Sequence, residues 1–192
     1  MNGLSHLDAS GQPAMVDIGG KTATRRTATA EALVWLPAVI TDLFYGSDIQ
    51  GPKGAVFQTA VIAGIMAAKK TDELIPLCHS LPLDDCKIAI TLDGGHASHE
   101  GRASLGRHAR VICTVKTDHR TGVEMEALTG ASVAALTLYD MCKALSHDIV
   151  IERVRLLEKT GGKRDFRRAE SEKIEPDSGK AGLTEVREAS AP

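Results

Sequence analysis

The stretch AVFQTAVIAGIMAAKK, residues Ala55–Lys70, has the pattern that decides the fold. Its apolar residues recur at helical spacing, as at Val56, Ala60 and Ala67, and its two terminal lysines suit the negative end of a helix dipole. We therefore predict a helix over 55–70, despite Gly64 within it. A helix with an apolar face is stable when that face is buried, so the neighbouring elements must supply a partner for it.

Strand-like segments precede and follow this helix. They are rich in Thr, Ala, Val and Ile and lack a helical stripe, and we predict strands at Thr22–Leu36, Cys86–Leu92, Ala109–Lys116 and Ile149–Leu157. A second, alanine-rich helix is predicted over Val123–Leu145. The order β-α-β-β-α-β is that of a ferredoxin-like α+β sandwich, in which two helices cover one face of an antiparallel sheet.

The length and composition indicate one domain. With 192 residues, of which 43% are apolar, the chain can bury one core but is short for two. We place a single domain at 15–162, between a flexible N-terminus at 1–14 and a polar C-terminal tail at 163–192. We expect the tail to be disordered, because it contains few apolar residues to bury.

The composition also disfavours several classes of function. No apolar run approaches the roughly 18 residues of a membrane span, and no signal peptide is recognisable, so we expect a cytoplasmic protein without membrane contact. A formal charge of −2 gives no electrostatic reason to expect a nucleic-acid partner. The four cysteines form no CxxC pair, and we predict no metal site.

A glycine-rich turn, GSDIQGPKG at 46–54, precedes the first helix and contains Lys53. It nearly matches a phosphate-binding loop but fails on three counts: a proline separates the second glycine from the lysine, Gly54 stands where Ser or Thr should bind magnesium, and no strand is predicted to lead into it. A lysine just ahead of a helix could still face a phosphate. The alternative is a solvated lysine in a turn.

A proline-bounded loop, IPLCHSLP at 75–82, places Cys78 and His79 side by side. An imidazole here could donate to an anionic oxygen or transfer a proton. The alternative is a structural pair, with a histidine satisfied by the backbone and a buried cysteine.

The start of the second predicted helix has two carboxylates, Glu124 and Glu126, on either side of Met125. Acidic residues in a first helical turn complement the helix dipole, so their presence alone does not identify a site. Both interpretations stay open at this point.

Near the end of the same helix, Asp140 and Lys143 share a face with Leu136. The two charged residues could be a surface ion pair that contributes little energy, or an acid and a base. Apolar Val133 and Leu136 continue this face, which favours an enclosed site in which pKa values shift.

Three long stretches together resemble the cyclic pyranopterin monophosphate synthase family of molybdenum cofactor biosynthesis. They are KGAVFQTAVIAGIMAAKKTDELIPLCHSL from Lys53, TGVEMEALTGASVAALTLYDMCKAL from Thr121, and VRLLEKTGGK from Val154. The resemblance extends from about Met15 to Lys163. It implies a lyase that rebuilds a cyclised dihydro-GTP as a cyclic pyranopterin monophosphate and releases diphosphate, which would make the domain at 15–162 catalytic.

The resemblance also implies roles for individual residues. Asp140 would be the catalytic acid or base, with Lys143 as its partner and Lys53 assisting catalysis or holding the phosphates. The residues that it places around the substrate are Leu77, Cys78, His79, Glu124, Met125 and Glu126, with Arg26 and Lys159 as candidates for phosphate contacts. No cofactor is implied, although Mg²⁺ could accompany the triphosphate.

The implied assembly is a homo-oligomer, a hexamer built as a trimer of dimers. A geometric argument supports a shared site: Glu126 and Asp140 lie fourteen positions apart on one predicted helix, or roughly 21 Å at ~1.5 Å per residue. One reacting ring cannot touch both, although a triphosphate could stretch part of that distance, so a site within one chain is disfavoured and not excluded. Two subunits packed about a two-fold axis would bring the two groups together.

Some positions depart from the family pattern. Ser80 stands where proline usually follows the histidine, Ala55 replaces an aspartate, and the usual GGKSG is GGKRD at 161–165. None of these changes removes a residue to which a catalytic role was assigned, but they put the loop geometry in doubt, and with it any role for the C-terminal lysines.

A second class of function is a ferredoxin-like nucleotide- or RNA-binding module without catalysis, because RNA-recognition domains share this element order. Such modules stack bases on aromatic side chains of the sheet. Aromatic residues are 3% of this chain, and Cys86–Leu92 and Ala109–Lys116 contain none. The enzyme is therefore the favoured interpretation.

Overall fold

The computed structural model describes residues 11–93, 97–98 and 105–169. Its elements, in chain order, are β1 (Thr24–Pro37), α1 (Ala38–Thr41), β2 (Phe44–Tyr45), β3 (Asp48–Gly51), β4 (Gly54–Ala55), α2 (Val56–Ala68), α3 (Thr71–Leu74), β5 (Asp85–Leu92), β6 (Ala97–Ser98), β7 (Leu105–His119), α4 (Glu124–Cys142), β8 (Val150–Thr160) and β9 (Phe166–Arg167). The predicted α+β class and element order are confirmed.

The main sheet is antiparallel, with strand order β5-β7-β1-β8-β9 and with β6 paired to β7. The central pairing joins β1 and β7 over their whole shared length, from Thr24 opposite His119 to Pro37 opposite Gly106. With the four long strands numbered along the chain, the order is 2-3-1-4, as a ferredoxin-like sandwich requires.

Helices α2 and α4 cover one face of this sheet. Alternate residues of β1, from Ala28 to Leu36, belong to the core, as do Ala127, Ala131 and Leu138 of α4. The helices cross at two glycines: a Cβ on Gly64 would lie 2.7 Å from the Gly130 carbonyl oxygen, and one on Gly130 would lie 2.7 Å from Cys113 Sγ. Backbone meets backbone at this crossing, which fixes the position of α4 against the sheet.

The sequence patterns did not predict the small sheet β2-β3-β4, because strands of two to four residues carry too little periodicity. This sheet anchors the start of α2. Asp48 is buried and accepts hydrogen bonds from the Phe57 and Gln58 amides at 2.7 and 3.1 Å, so it satisfies two backbone donors of the first turn. The turn that contains Lys53 is thereby held at one end of α2.

Both ends of the chain extend beyond the described residues. Residues 1–10 of the predicted flexible N-terminus and residues 170–192 of the predicted tail lie outside the description, as do 94–96 and 99–104 of the predicted hairpin connection. Within 163–169, Phe166 and Arg167 form β9, which pairs with β8. The helices that the structure describes are all too short or too polar to cross a lipid bilayer.

Candidate active site

Asp140 lies between two lysines at the C-terminal end of α4. Its Oδ2 is 2.8 Å from Lys53 Nζ, and its Oδ1 is 2.7 Å from Lys143 Nζ. Lys53 Nζ also donates to the Asp140 backbone carbonyl at 3.1 Å. The structure therefore brings together the three residues for which the resemblance implied catalytic roles.

The two lysines determine the ionisation of this carboxylate. Hydrogen bonds from Lys143 and Lys53, and the charges of both, lower the pKa of Asp140 to about 2, while Asp140 in turn raises the pKa of Lys143. At neutral pH the aspartate is an anion able to accept a proton, and the lysines are cations able to donate one or to neutralise phosphate.

Within one chain this cluster is not enclosed. The side chains of Asp140 and Lys143 are 55% and 49% exposed, and Leu136, which was expected to continue the face into an apolar site, is itself exposed. The expectation of an enclosure around Asp140 is therefore not met by a single chain, because its helix face points away from the sheet. Nearby lysines, and not burial, shift its pKa.

A second cluster forms where α4 begins. The Glu126 side chain is 5% exposed, and burial, with further contributions from Glu124 and Asp72, raises its pKa to about 7. Burial, with the neighbouring Glu126 and Asp72, also raises the pKa of the Cys78 thiol. Glu126 is thus a carboxyl group that exists in both protonation states near neutral pH, which the sequence did not predict.

The loop after α3 borders this cluster. His79 Nε2 lies 2.8 Å from the Val16 carbonyl oxygen, which can only accept, so Nε2 carries the proton. This contact agrees with the alternative in which the backbone satisfies the histidine, and it ties the loop to the segment before β1. Leu77 and Met125 are each 37% exposed and offer apolar surface beside Cys78 and Glu126.

A cavity of about 410 Å³ opens beside the start of α4. Arg26 and Lys159, the two candidates for phosphate contacts, line it together with Glu124. Lys159 Nζ lies 2.8 Å from Glu124 Oε1. Sequence reasoning left Lys163 in doubt and missed Arg164, yet both line the same cavity; the signal available for them was their position directly after Gly161-Gly162.

The predicted residues thus fall into two clusters, one at each end of helix α4. We call them the aspartate cluster (Lys53, Asp140, Lys143) and the glutamate cluster (Leu77, Cys78, His79, Glu124, Met125, Glu126, Arg26, Lys159). Because α4 is continuous from Glu124 to Cys142, the fourteen positions between Glu126 and Asp140 span roughly 21 Å at ~1.5 Å per residue. A single chain does not bring the two clusters to one reacting ring.

Comparison with known proteins gives one consistent result. The model of the MoaC family matches residues 15–162. A cyclic pyranopterin monophosphate synthase of Xanthomonas campestris pv. campestris (strain B100) is 52% identical over 163 residues, which is 85% of this chain and 92% of that protein.

Two longer proteins are similarly related. The molybdenum cofactor biosynthesis bifunctional protein of Synechocystis sp. is 50% identical over 162 residues, 84% of this chain and 45% of that protein. Molybdenum cofactor biosynthesis protein 1 of Drosophila melanogaster is 51% identical over 167 residues, 87% of this chain and 27% of that protein. The fold, the order of the motifs and these matches lead to one conclusion: the chain belongs to the MoaC family.

Proposed function

We propose that the two clusters together convert a cyclised dihydro-GTP into cyclic pyranopterin monophosphate and release diphosphate. The chain is a lyase of molybdenum cofactor biosynthesis, as its family membership and its cyclic pyranopterin monophosphate synthase relatives indicate. The observation that carries the residue-level proposal is the position of Asp140 between Lys53 and Lys143, at 2.8 and 2.7 Å.

The reaction needs proton acceptors, proton donors and cations, and the clusters contain groups suited to each of these three roles. Opening and reclosing a ring requires proton acceptors and donors, for which Asp140, ionised at neutral pH, and Glu126, with a pKa of about 7, are suited. Formation of the cyclic phosphate places negative charge on the departing diphosphate, which basic side chains of both clusters, among them Lys53, Arg26 and Lys159, can neutralise. No cofactor enters this scheme; Mg²⁺ could accompany the triphosphate.

The direct test is to incubate the purified protein with the cyclised dihydro-GTP and to follow diphosphate and the pterin product. We expect both to form in equal amounts, and Asp140→Asn to form neither at a comparable rate. The non-catalytic binding module predicts that the nucleotide binds without diphosphate release. That outcome would reject the proposed enzyme.

We further propose that each site is completed by a second copy of the chain, in dimers that assemble into hexamers. The roughly 21 Å between Glu126 and Asp140 supports this, since one ring cannot reach both within one chain. A two-fold axis would set the aspartate cluster of one copy beside the glutamate cluster of the other. The exposure of Asp140 and Leu136 is consistent with a face that a second copy covers.

Subunit mixing tests this arrangement. Asp140→Asn and Glu126→Gln subunits are each expected to be inactive alone, and to regain activity when mixed under conditions that allow exchange. The recovery arises because some interfaces then contain two intact clusters. Persistent inactivity at every mixing ratio, with exchange verified by mass spectrometry of labelled subunits, would reject a divided site.

A further inference from the structure

The turn after β8 is shaped so that it lies against β1. Gly161 has φ +81°, and a Cβ there would lie 1.8 Å from the Arg25 carbonyl oxygen. Thr24 Oγ1 donates to the Gly161 carbonyl at 2.8 Å, and the Gly161 amide donates to Asp165 Oδ1 at 3.0 Å. A side chain at 161 would push the turn away, so glycine is what allows this approach.

Because the turn lies against β1, two of its basic side chains, Lys163 and Arg164, line the cavity beside α4. Arg26 reaches the cavity from β1 and Lys159 from the end of β8, while Lys163 and Arg164 reach it from the turn. A Cβ on Gly162 would lie 3.0 Å from Arg26 Nη1, which shows how closely the turn and Arg26 are packed. The cavity is therefore bounded on two sides by basic side chains.

The charge of this cavity is strongly unbalanced. Arg26, Lys159, Lys163 and Arg164 line it, and Glu124 is the carboxylate that lines it among the residues that the structure describes. Lys159 is paired with that carboxylate at 2.8 Å, so three cations remain without a carboxylate in the lining. Clustered Arg and Lys side chains in a concave site match a ligand with several adjacent anionic oxygens, and planar guanidinium groups suit phosphate in particular.

We propose that Lys163 and Arg164 bind the diphosphate portion of the substrate, and that Arg164 determines the preference for a diphosphate over a single phosphate. The assignment rests on the proposed function, which supplies a substrate with a triphosphate. Glu124 lines the cavity and is close enough to Glu126 for its charge to act on that carboxyl group, so a ring held at Glu126 can extend its phosphate chain into the cavity. Arg164 is exposed, as expected of a residue that meets the far end of such a chain.

Calorimetric titration of the intact protein with inorganic diphosphate tests the proposal. We expect Arg164→Gln to weaken diphosphate binding by about tenfold, the size expected for one charge-assisted contact that is partly screened by solvent. Arg164→Lys should recover part of the affinity, because it restores the charge without the planar guanidinium. Binding of orthophosphate, which is too short to reach every cation, should be weaker than that of diphosphate and should change little in Arg164→Gln.

Arg167→Gln is the matched control. Arg167 lies three residues further on, is 85% exposed, pairs with Glu158 at 3.6 Å and does not line the cavity. Its loss removes the same charge from the same region, so diphosphate affinity should stay within about twofold of the unmodified protein if contact, and not net charge, is responsible. Equal weakening by Arg164→Gln and Arg167→Gln would overturn the proposal, as would unchanged affinity in Arg164→Gln.

Turnover of the cyclised dihydro-GTP separates this inference from the proposed function. Arg164→Gln should raise KM by about tenfold, because the lost contact is made to the bound substrate, and should also lower kcat, because negative charge develops on the departing diphosphate in the transition state. If the protein turns over this substrate and Arg164→Gln has no effect on KM or on diphosphate binding, the inference about Arg164 fails alone. If diphosphate binds through Arg164 but no product forms, the proposed function fails and the anion site remains.

Discussion

The two ends of helix α4 place the same chemical group in opposite environments. At its start, Glu126 is buried among other acidic groups and has a pKa of about 7. Near its end, Asp140 is exposed between two lysines and has a pKa of about 2. Burial disfavours the charged form at one end, and paired cations favour it at the other.

This difference indicates a division of labour. A carboxylate that stays ionised at neutral pH can accept a proton, and a carboxyl group that is half protonated there can donate one. Pairs of titratable groups whose environments separate their pKa values are a recognised sign of acid–base assignments. We therefore expect changes at the two ends to differ in kind as well as in size.

The largest effect is expected from Asp140→Asn. The amide keeps the shape of the side chain but cannot accept a proton, so turnover should fall by about a thousandfold, within the range of lost general acid–base catalysis. The melting temperature should change little, because the side chain is exposed and its ion pairs are screened. Diphosphate release and thermal melting measure the two quantities, and retained turnover would remove Asp140 from the mechanism.

Much of the fold can be predicted from the sequence, because long helices and strands have residue patterns that are recognisable over many positions. The first strand is rich in Thr, Ala and Val without a helical stripe, and α2 has helical spacing, each over enough residues to separate one structure from the other. The small sheet at 44–55 is not predictable in this way, because its strands of two to four residues have the glycine-rich composition of a turn. Its role, to hold Asp48 against the start of α2, depends on contacts that no local pattern encodes.

The sites were predictable to a smaller degree. Asp140 and Lys143 are neighbours on a helix and so could be paired from their spacing. Lys53 lies 87 positions from Asp140, and its ion pair becomes visible once α2 and α4 are packed together. The raised pKa of Glu126 depends on burial by the whole fold, which is why the helix-dipole interpretation could not be excluded from the sequence.

The next largest effect is expected from Gly64→Ala, which acts on the packing of α2 against the middle of α4. A Cβ at 64 would lie 2.4 Å from Ile88 Cδ1 and 2.7 Å from the Gly130 carbonyl oxygen, and the second atom belongs to backbone. We expect the free energy of unfolding to fall by about 3 kcal/mol, since overpacking outweighs the better helix propensity of alanine. Urea denaturation measures this loss, and unchanged stability would show that the helices separate at little cost.

A pH-dependent effect on stability is expected from Glu126, at the start of α4. The folded-state pKa of Glu126 is raised from 4.5 to about 7, so its protonated form favours folding. This contribution is complete below pH 4.5, and it is lost as the pH rises through about 7. The native protein should therefore lose stability as the pH rises, while Glu126→Gln does not. The difference between the two proteins should grow by on the order of 1 kcal/mol for each pH unit between 4.5 and about 7.

Paired urea denaturation curves of both proteins at a series of pH values give this difference. Asp140→Asn should not reproduce this pH-dependent difference, because the pKa of Asp140 is about 2 and its carboxylate therefore titrates far below the range between pH 4.5 and about 7. A constant difference between Glu126→Gln and the native protein across the series would show that Glu126 is not protonated in the folded chain near neutral pH.

The smallest effect is expected from Glu73→Gln, which tests whether an exposed ion pair is enough to make a site. Lys70 and Glu73 form an i,i+3 pair at 3.1 Å with side chains 56% and 63% exposed, much like the i,i+3 pair of Asp140 and Lys143. Among the residues that the structure describes, the Glu73 carboxylate pairs with Lys70 alone, whereas Asp140 lies between Lys53 and Lys143. We expect Glu73→Gln to change the free energy of unfolding by less than about 0.5 kcal/mol and to leave turnover unchanged, as is usual for solvated pairs. If turnover instead fell as far as in Asp140→Asn, the loss of any exposed helix carboxylate would explain both results. The position of Asp140 between Lys53 and Lys143 would then not account for its effect on turnover.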